Sequence, residues 1–478
     1  MATIGPSTGT KEKLKELIKA GMNVARINFS HGDYKSNGKL IEYIKELREE
    51  MKIPIGIMAD LQGPRIRTLV ENDIEIKKGE LVYMTDSSMG SKIKRIFIFN
   101  KIKKEKEIKL DWSGIIKNIK NKDEILVEDG TVRFKVIEKN KIFLRVKALN
   151  GGIVKNHKGV NIPNLELKSG AVTKKDLKDL DFVLSVDVDF IALSFVSNAR
   201  DILNIKKKIR KILGRSNELP QVVAKIERKE AIKNISEIIE ATDVVMVARG
   251  DLGIEMKESR VVLYQKEIIS KCLKANIPVI VATQMLNSMI ESPRPTRAEV
   301  SDVSNAVIDH ADAVMLSGET ANGEYPIQAV KTMSEIIKNT EKSPFDNLKH
   351  GFLGDKRNSA SAAIANSAHE LQKDTKAKAI VVASVSGFTA RMISRHRPEC
   401  PIYVMTNNEK THEQLSLIWG AESFVLSDCE TMDELIDKSL ETLKKEKMIK
   451  KGYKLVIVTG RPHRVKEHMS LVKLEVVK

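Results

Sequence analysis

The sequence predicts an α/β protein: a (β/α)8 TIM barrel, a small β-barrel domain inserted into it, and a C-terminal α/β domain. Three observations carry this expectation. Short apolar runs recur eight times with amphipathic stretches between them, the pattern of strand-then-helix units in a parallel barrel. One interval is far too long for a single helix, and most of it alternates with a period of two. After the eighth run and a polar connection, a second strand-and-helix alternation begins.

The eight runs are Ala2–Ile4, Val24–Phe29, Ile55–Asp60, Phe190–Phe195, Val222–Ile226, Val244–Val247, Val279–Ala282 and Ala313–Leu316. Between the first two, KEKLKELIKA has Thr10 placed to cap its start and Gly21 to end it. NARDILNIKKKIRKIL and EAIKNISEIIE read as later helices. The long interval, about 130 residues from Asp60 to Phe190, holds IEIKKGELVYMT, KRIFIFN, DEILVEDGTVRFKVIEKNKIFLRVKAL and GGIVKNHKGVNIP. Its turn residues are Gly79, Asp129-Gly130, Lys139-Asn140 and Gly151-Gly152. Residues 1–67 and 165–340 are thus assigned to the large barrel, 68–164 to the insert and 355–478 to the C-terminal domain. Strands of that last domain are expected near Ala379–Ala383, Ile402–Met405, Ser423–Leu426 and Lys454–Val458.

Composition narrows the function classes. At 478 residues with 42% hydrophobic and 30% charged side chains, the chain is of globular type. No apolar run reaches the roughly 18 residues of a membrane span, and MATIGPSTGT lacks the basic-then-apolar pattern of a signal peptide. Cys272, Cys400 and Cys429 are too few and scattered for a disulfide framework or a zinc site. A cytoplasmic protein is expected. The net charge of +17 raises a nucleic-acid partner, but the lysines are spread through helices and aromatics are only 4%. A solvated lysine surface, or an acidic phosphorylated small substrate, accounts for the charge, and no nucleic acid is expected.

Active sites of such barrels lie at the C-terminal ends of the strands. Here those ends carry Arg26, Asn28 and Ser30, then Asp60, Ser194, Lys225 with Glu227, Arg249-Gly250-Asp251, Thr283, and Ser317 with Glu319. The fifth run, VVAKIERKE, is the most telling. A strand has a side-chain period of two, so Lys225 and Glu227 share a face of an apolar strand, where charge is costly unless paired or used. An ordinary ion pair is the competing reading, and the other polar strand ends weigh against it. Glu227 and Asp251, from adjacent strands, offer two hard oxygen ligands of the kind that hold Mg²⁺ together with substrate oxygens and water. Gly250 leaves room for a ligand at the backbone. Lys225 can stabilise negative charge developing on a substrate oxygen. Arg26, Arg67 and Lys158 are candidate phosphate cations. Lys158 lies in the insert, which could then close as a lid. Asn28, Ser30 and Asp60 suit a monovalent cation, with capping and turn bonding as the alternative.

The runs ARINFSHGD, MADLQGPRIRT, KGVNIP, AKIE, VMVARGDLGIE and VATQMLNSMIESPRPTRAEVSDVSNAVIDHADAVMLSGETANGEYP resemble the pyruvate kinase family, from Ala2 to about Val458. The resemblance implies a (β/α)8 domain, an inserted β-barrel and a C-terminal regulatory domain. It implies phosphoryl transfer from phosphoenolpyruvate to ADP, giving ATP and pyruvate, by a Mg²⁺-dependent homotetramer. On the matching positions, Arg26 contacts the transferring phosphoryl group and Lys225 stabilises the transition state and enolate. Glu227 and Asp251 hold Mg²⁺, and the Gly250-Asp251 backbone meets the substrate carboxylate, with Ser194 also at the substrate. Thr283 stands near the methylene carbon and helps a water deliver the proton. Asn28, His31, Arg67 and Lys158 face the nucleotide. Loose phosphoryl transfer of this kind needs positioning and cations more than covalent chemistry.

Two departures matter. Many members read Asp-Thr-Lys-Gly-Pro-Glu where this chain has Asp60-Leu61-Gln62-Gly63-Pro64-Arg65. That glutamate accompanies a required K⁺, for which Asn28, Ser30, Asp60 and Leu61 are the matching positions. Arg65 puts a fixed positive charge there, and neighbouring cations repel, so activity without K⁺ is expected. Members also usually have residues before ATIGP, so either the first strand is short or the natural start lies upstream. In the C-terminal domain, Ser384, Ser386 and Thr389 surround a glycine in ASVSGFTAR, a phosphate cradle. It resembles the loop that takes sugar-phosphate effectors in some members, with plain helix capping as the alternative. VTGRPHRVKEHMS matches the terminal effector loop poorly, although Arg461 and Arg464 could meet a phosphate. Three rivals are set aside. A pyruvate-type aldolase has no need of the insert or of Arg67 and Lys158, and a catalytically dead scaffold would have lost Lys225, Glu227, Asp251 or Thr283. A basic nucleic-acid binder is the third.

Overall fold

The computed structural model describes residues 1–87, 106–128, 130–163, 165, 171–214, 218–348, 353, 360–460, 469 and 471–478. KRIFIFN, Asp129, Arg461, Arg464 and the boundary positions 164 and 355 lie outside them.

The eight apolar runs form one parallel sheet in sequence order: Ala2–Ile4, Val24–Asn28, Gly56–Asp60, Phe190–Leu193, Gln221–Ile226, Val244–Ala248, Val279–Ala282 and Ala313–Met315. A parallel bridge between Ala2 and Leu316 brings the last strand back to the first. Met1 reinforces that seam, its amino group donating to Val314 O at 2.9 Å and its carbonyl accepting from Leu316 N. The first strand is indeed short, at three residues. The fourth ends two residues before its expected limit, because Phe195 takes φ 57° and turns the chain.

Side-chain parity explains how the barrel carries charge. Val24, Met58, Phe190, Ala192, Val223, Met246 and Ile280 belong to one buried cluster inside the barrel. Stepping along each strand by two from those residues gives Arg26, Asp60, Ser194 and Lys225, so the polar groups continue the inward face above an apolar plug. At the other end Leu417, from the C-terminal domain, joins the same cluster.

A second closed barrel has the order Phe143–Ala148, Leu81–Asp86, Lys106–Leu110, Ile66–Leu69, Gly159–Asn161, Glu124–Val127 and Val132–Lys139. It has its own core, including Phe134, Ile108, Leu144 and Val146. One pair in it, Leu81–Asp86 with Lys106–Leu110, is parallel, which period-two alternation could not reveal. Gly79 and Gly130 make its turns at φ 85° and 89°, a conformation that favours glycine.

The C-terminal sheet runs Ala421–Val425, Ile402–Thr406, Ala379–Ala383, Lys454–Thr459 and Leu471–Val476, the last antiparallel. That final strand was not expected, and the strand placed at Ser423–Leu426 begins two residues earlier. Among the described residues no helix is long and apolar enough to cross a membrane.

Candidate active site

Lys225 is 8% exposed, and its ammonium meets three oxygens. It donates to Asp60 Oδ1 at 3.1 Å and to Ser194 Oγ at 2.8 Å, and pairs with Glu227 Oε1 at 2.9 Å. The third strand and the residues directly after the fourth and fifth strands supply one partner each. Arg26 uses the other oxygen of Asp60, with Nε at 2.8 Å and Nη2 at 2.6 Å, and its Nη1 donates to Thr3 Oγ1 at 2.9 Å. Asp60 therefore holds both cations at once.

Burial works to lower the Lys225 pKa, but the Asp60 and Glu227 carboxylates outweigh it and lift its pKa above the ordinary lysine value. Burial likewise works against ionised Asp60, and Lys225 with Arg26 overcomes it, so its carboxyl stays below the usual range. Glu227 goes the other way. Burial raises its pKa, Lys225 opposes this, and the charge of Asp251 raises it further.

Glu227 Oε2 accepts the Phe195 N–H at 2.7 Å, so one carboxylate is oriented by both neighbouring elements. Asp251 lies in the first turn of the helix Arg249–Glu255, directly after the sixth strand. Two carboxylates whose mutual repulsion raises a pKa in a buried site suit a divalent cation. Among the described residues no group of three or more His, Cys, Asp or Glu is set to hold a metal. A two-carboxylate site that leaves coordination to substrate and water is what Mg²⁺ takes, so the residues present fit that ion.

Thr283 follows the seventh strand with φ 73°, and Gln284 with φ 52°. A left-handed β-branched residue is a true outlier. Its hydroxyl donates to Ala282 O at 2.6 Å and accepts from Gly250 N at 2.7 Å. A Cβ on Gly250 would stand 3.5 Å from that hydroxyl, an ordinary contact. Protein packing therefore does not demand the glycine. Glu319, 1% exposed, ties two loops together by accepting from Leu286 N at 3.0 Å and Ser317 N at 2.7 Å.

The remaining candidates are dispersed around this centre. Asn28 Oδ1 accepts from Ser30 N at 3.0 Å. Leu61 uses its N–H on Ala192 O at 3.0 Å, and its carbonyl accepts from Ser194 Oγ at 2.8 Å. The Arg65 guanidinium lies against Gly159 of the small barrel, where a Cβ would stand 2.8 Å from Nε. Partial desolvation, then the charges of Arg67, Arg65 and Arg26, hold His31 below the usual imidazole range. Arg67 sits on a small-barrel strand, its N–H donating to Asp111 Oδ1 at 2.7 Å. Lys158 is engaged by Glu128 of the same barrel at 2.5 Å. Ser384 and Thr389 are each 7% exposed, while Ser386 is open to solvent. The helix Phe388–Ser394 starts at Gly387 with φ 73° and no side-chain cap.

Sequence reasoning missed Thr3 and assigned no partner to Asp60 or Arg249. The parity of Thr3 with its neighbours in ATIGP was the available signal.

A (β/α)8 barrel with two cations and three carboxylates at its mouth, interrupted after its third strand by a closed β-barrel, defines a class of phosphotransferase. Comparisons agree. The family model "Pyruvate kinase, barrel domain" matches residues 1–330, and "Pyruvate kinase, alpha/beta domain" matches 362–475. The chain belongs to the pyruvate kinase family. It is 39% identical to pyruvate kinase of Clostridium perfringens, covering 99% of this chain and 98% of the relative. It is 38% identical to that of Geobacillus stearothermophilus, covering 100% and 80%. A crystal structure of a pyruvate kinase from Cryptosporidium parvum superposes with a TM-score of 0.89 at 36% identity, over 100% of this chain and 95% of that one.

Proposed function

We propose that the protein transfers the phosphoryl group of phosphoenolpyruvate to ADP, forming pyruvate and ATP in the last step of glycolysis, with Mg²⁺ and without a need for K⁺. The observation that carries this reading is the Lys225 ammonium held on Asp60, Ser194 and Glu227 beside an Arg26 held on the same aspartate. Arg26 presents its guanidinium to the transferring phosphoryl oxygens. Lys225 faces the bridging oxygen and stabilises the charge left on it as the phosphoryl departs. Asp60 keeps the two cations from repelling each other before substrate arrives. Glu227 and Asp251 would hold Mg²⁺, which would supply the charge that neutralises substrate oxygens. The backbone at Gly250-Asp251 meets the substrate carboxylate in the space that a side chain on Gly250 would take. Thr283 then holds the water that protonates the methylene carbon.

Asn28, His31, Arg67 and Lys158 face the nucleotide. Lys158 exchanges Glu128 for a nucleotide phosphate when the small barrel closes over the site. The groups matching a K⁺ site already have protein partners: Asp60 serves Arg26 and Lys225, Leu61 O serves Ser194, and Asn28 Oδ1 serves Ser30 N. Arg65 supplies the positive field instead. The chain works in the cytoplasm as a homotetramer, and the loop with Ser384, Ser386 and Thr389 takes a phosphorylated effector.

The test is ATP formation from phosphoenolpyruvate and ADP with Mg²⁺, at fixed ionic strength with and without K⁺, alongside Lys225→Ala. Turnover in both salts is expected, lost with EDTA and reduced by roughly 10³-fold or more in the variant. Turnover only with K⁺ overturns the role given to Arg65. An unimpaired Lys225→Ala enzyme overturns the mechanism.

A further inference from the structure

Arg249 stands between the sixth strand and Gly250-Asp251, its side chain only 10% exposed. Its Nη1 donates to Asp302 Oδ1 at 2.7 Å and to Gln265 Oε1 at 3.4 Å. Its Nη2 faces the other way, donating to the carbonyls of Thr283 at 2.7 Å and Gln284 at 3.3 Å, with Met285 Sδ at 2.9 Å. One guanidinium thus collects the carbonyls of the two consecutive residues that hold left-handed backbone. Such conformations are costly and persist only where the surroundings enforce them. The guanidinium fork is the enforcing group, because its planar donors fix two acceptors in a set geometry. Asp302, on the helix Arg297–Ile308, fixes the fork in turn. Release the clamp, and Thr283 relaxes toward ordinary backbone, taking its hydroxyl away from Gly250 N.

We propose that Arg249, oriented by Asp302, is a positioning residue for proton delivery at Thr283, and that its grip on the Thr283 and Gln284 carbonyls sets where the Thr283 hydroxyl stands. This rests on the phosphoenolpyruvate reading above. In that reaction the enolate left by phosphoryl transfer takes a proton from a water held at Thr283 Oγ1. A C–H bond forms from the C=C pair, the oxygen lone pair closes the carbonyl, and the hydroxide left behind is reprotonated by solvent. Displacing Oγ1 by about an ångström is enough to slow such a step about a hundredfold, while the cations that receive the phosphoryl group stay in place.

The experiment reads the two steps separately on the full chain. ATP formation reports the whole forward reaction. Exchange of pyruvate methyl protons for deuterium in D₂O, followed by NMR with Mg²⁺ and ATP present, reports the protonation step. Arg249→Lys keeps the charge and loses the fork; Asp302→Asn keeps the volume and loses the anchor. Both are expected to slow exchange by roughly tenfold or more, with KM for phosphoenolpyruvate changed by less than about twofold, and Asp302→Glu is expected to recover part of the loss. Unchanged exchange in both variants overturns the proposal. So does a loss of exchange that comes with a rise in KM and a fall in thermal midpoint, which would mark a merely structural role. Asp302→Asn decides the matter if Arg249→Lys does not fold. A wild-type enzyme that forms no ATP sinks the reading of the site, and this proposal with it.

Discussion

Asp60 lies under two cations, and removing its charge acts on both. Asp60→Asn keeps the side-chain volume but leaves Arg26 and Lys225 facing each other with only Glu227 to compensate. Lys225 owes its raised pKa, against burial, to Asp60 first and Glu227 next. Without Asp60 its pKa falls, so the ammonium that the proposed mechanism uses is lost at lower pH. The alkaline limb of the kcat/KM profile in Asp60→Asn should therefore move down in pH, with kcat reduced roughly 10²-fold at neutrality. An alkaline limb that stays put would show that Asp60 does not govern Lys225. Parity along the fifth strand singles out Lys225 and Glu227 in the amino-acid sequence, and the positions after the sixth and seventh strands single out Asp251 and Thr283 as candidates. The shared aspartate is not legible there, because it needs the register of the third strand against the fifth. The clamp at Arg249 is hidden for a similar reason, since its acceptors are main-chain carbonyls that carry no sequence signal.

A short element, the helix Glu409–Gln414 with the turn Leu415–Leu417, seats the C-terminal domain on the closed end of the barrel. Leu417 enters the inner cluster. Lys410 pairs with Asp187 at 2.6 Å and Asp189 at 3.1 Å, and Gln414 donates to Leu219 O at 2.9 Å. Glu413 meets Arg48 at 3.1 Å and accepts from Ile55 N at 2.8 Å. Those contacts fall at the starts of the third, fourth and fifth strands, whose far ends carry Asp60, Ser194 and Lys225. Glu413 is pushed up to about 7, by burial first, with Arg48 opposing the rise and Asp189 and Glu409 adding to it. A folded-state pKa above the unfolded value means stability that is complete below pH 4.5, the ordinary value, and lost as pH rises through about 7. Glu413→Gln should remove this slope, which reaches at most about 1.4 kcal/mol per pH unit for one proton. Thermal midpoints compared between pH 5 and 8 check it; these pH values are roughly those spanning the folded titration. Equal slopes in both proteins would contradict the assignment. Sequence periodicity found the strands of this domain but not its seat, since Leu-Ser-Leu reads like any other amphipathic fragment. The antiparallel strand Leu471–Val476 escaped because period-two alternation at a chain end carries no partner.

The two barrels communicate through Arg65. It belongs to the connection between the third strand of the large barrel and Ile66–Leu69 of the small one, and its guanidinium packs on Gly159. Its charge also reaches His31, where with Arg67 and Arg26 it favours the neutral imidazole. On the proposed reading, a fixed cation at this junction would do two things that a bound ion would otherwise do: it would provide positive potential at the mouth of the large barrel, and it would do so from a residue that packs on Gly159 of the small barrel. Replacing Arg65 by glutamate inverts the field felt at His31 and leaves an anion at the junction, where a monovalent cation on the proposed ligands Asn28, Ser30 and Asp60 becomes the natural compensation. Arg65→Glu should therefore turn over slowly in tetramethylammonium salt and recover roughly tenfold or more when K⁺ replaces it at equal ionic strength. Wild type should be indifferent to the exchange. Activity of Arg65→Glu that ignores the cation would mean that the field at the junction of the two barrels does not set the ion requirement, and that the difference lies in the ligands Asn28, Ser30, Asp60 and Leu61 themselves.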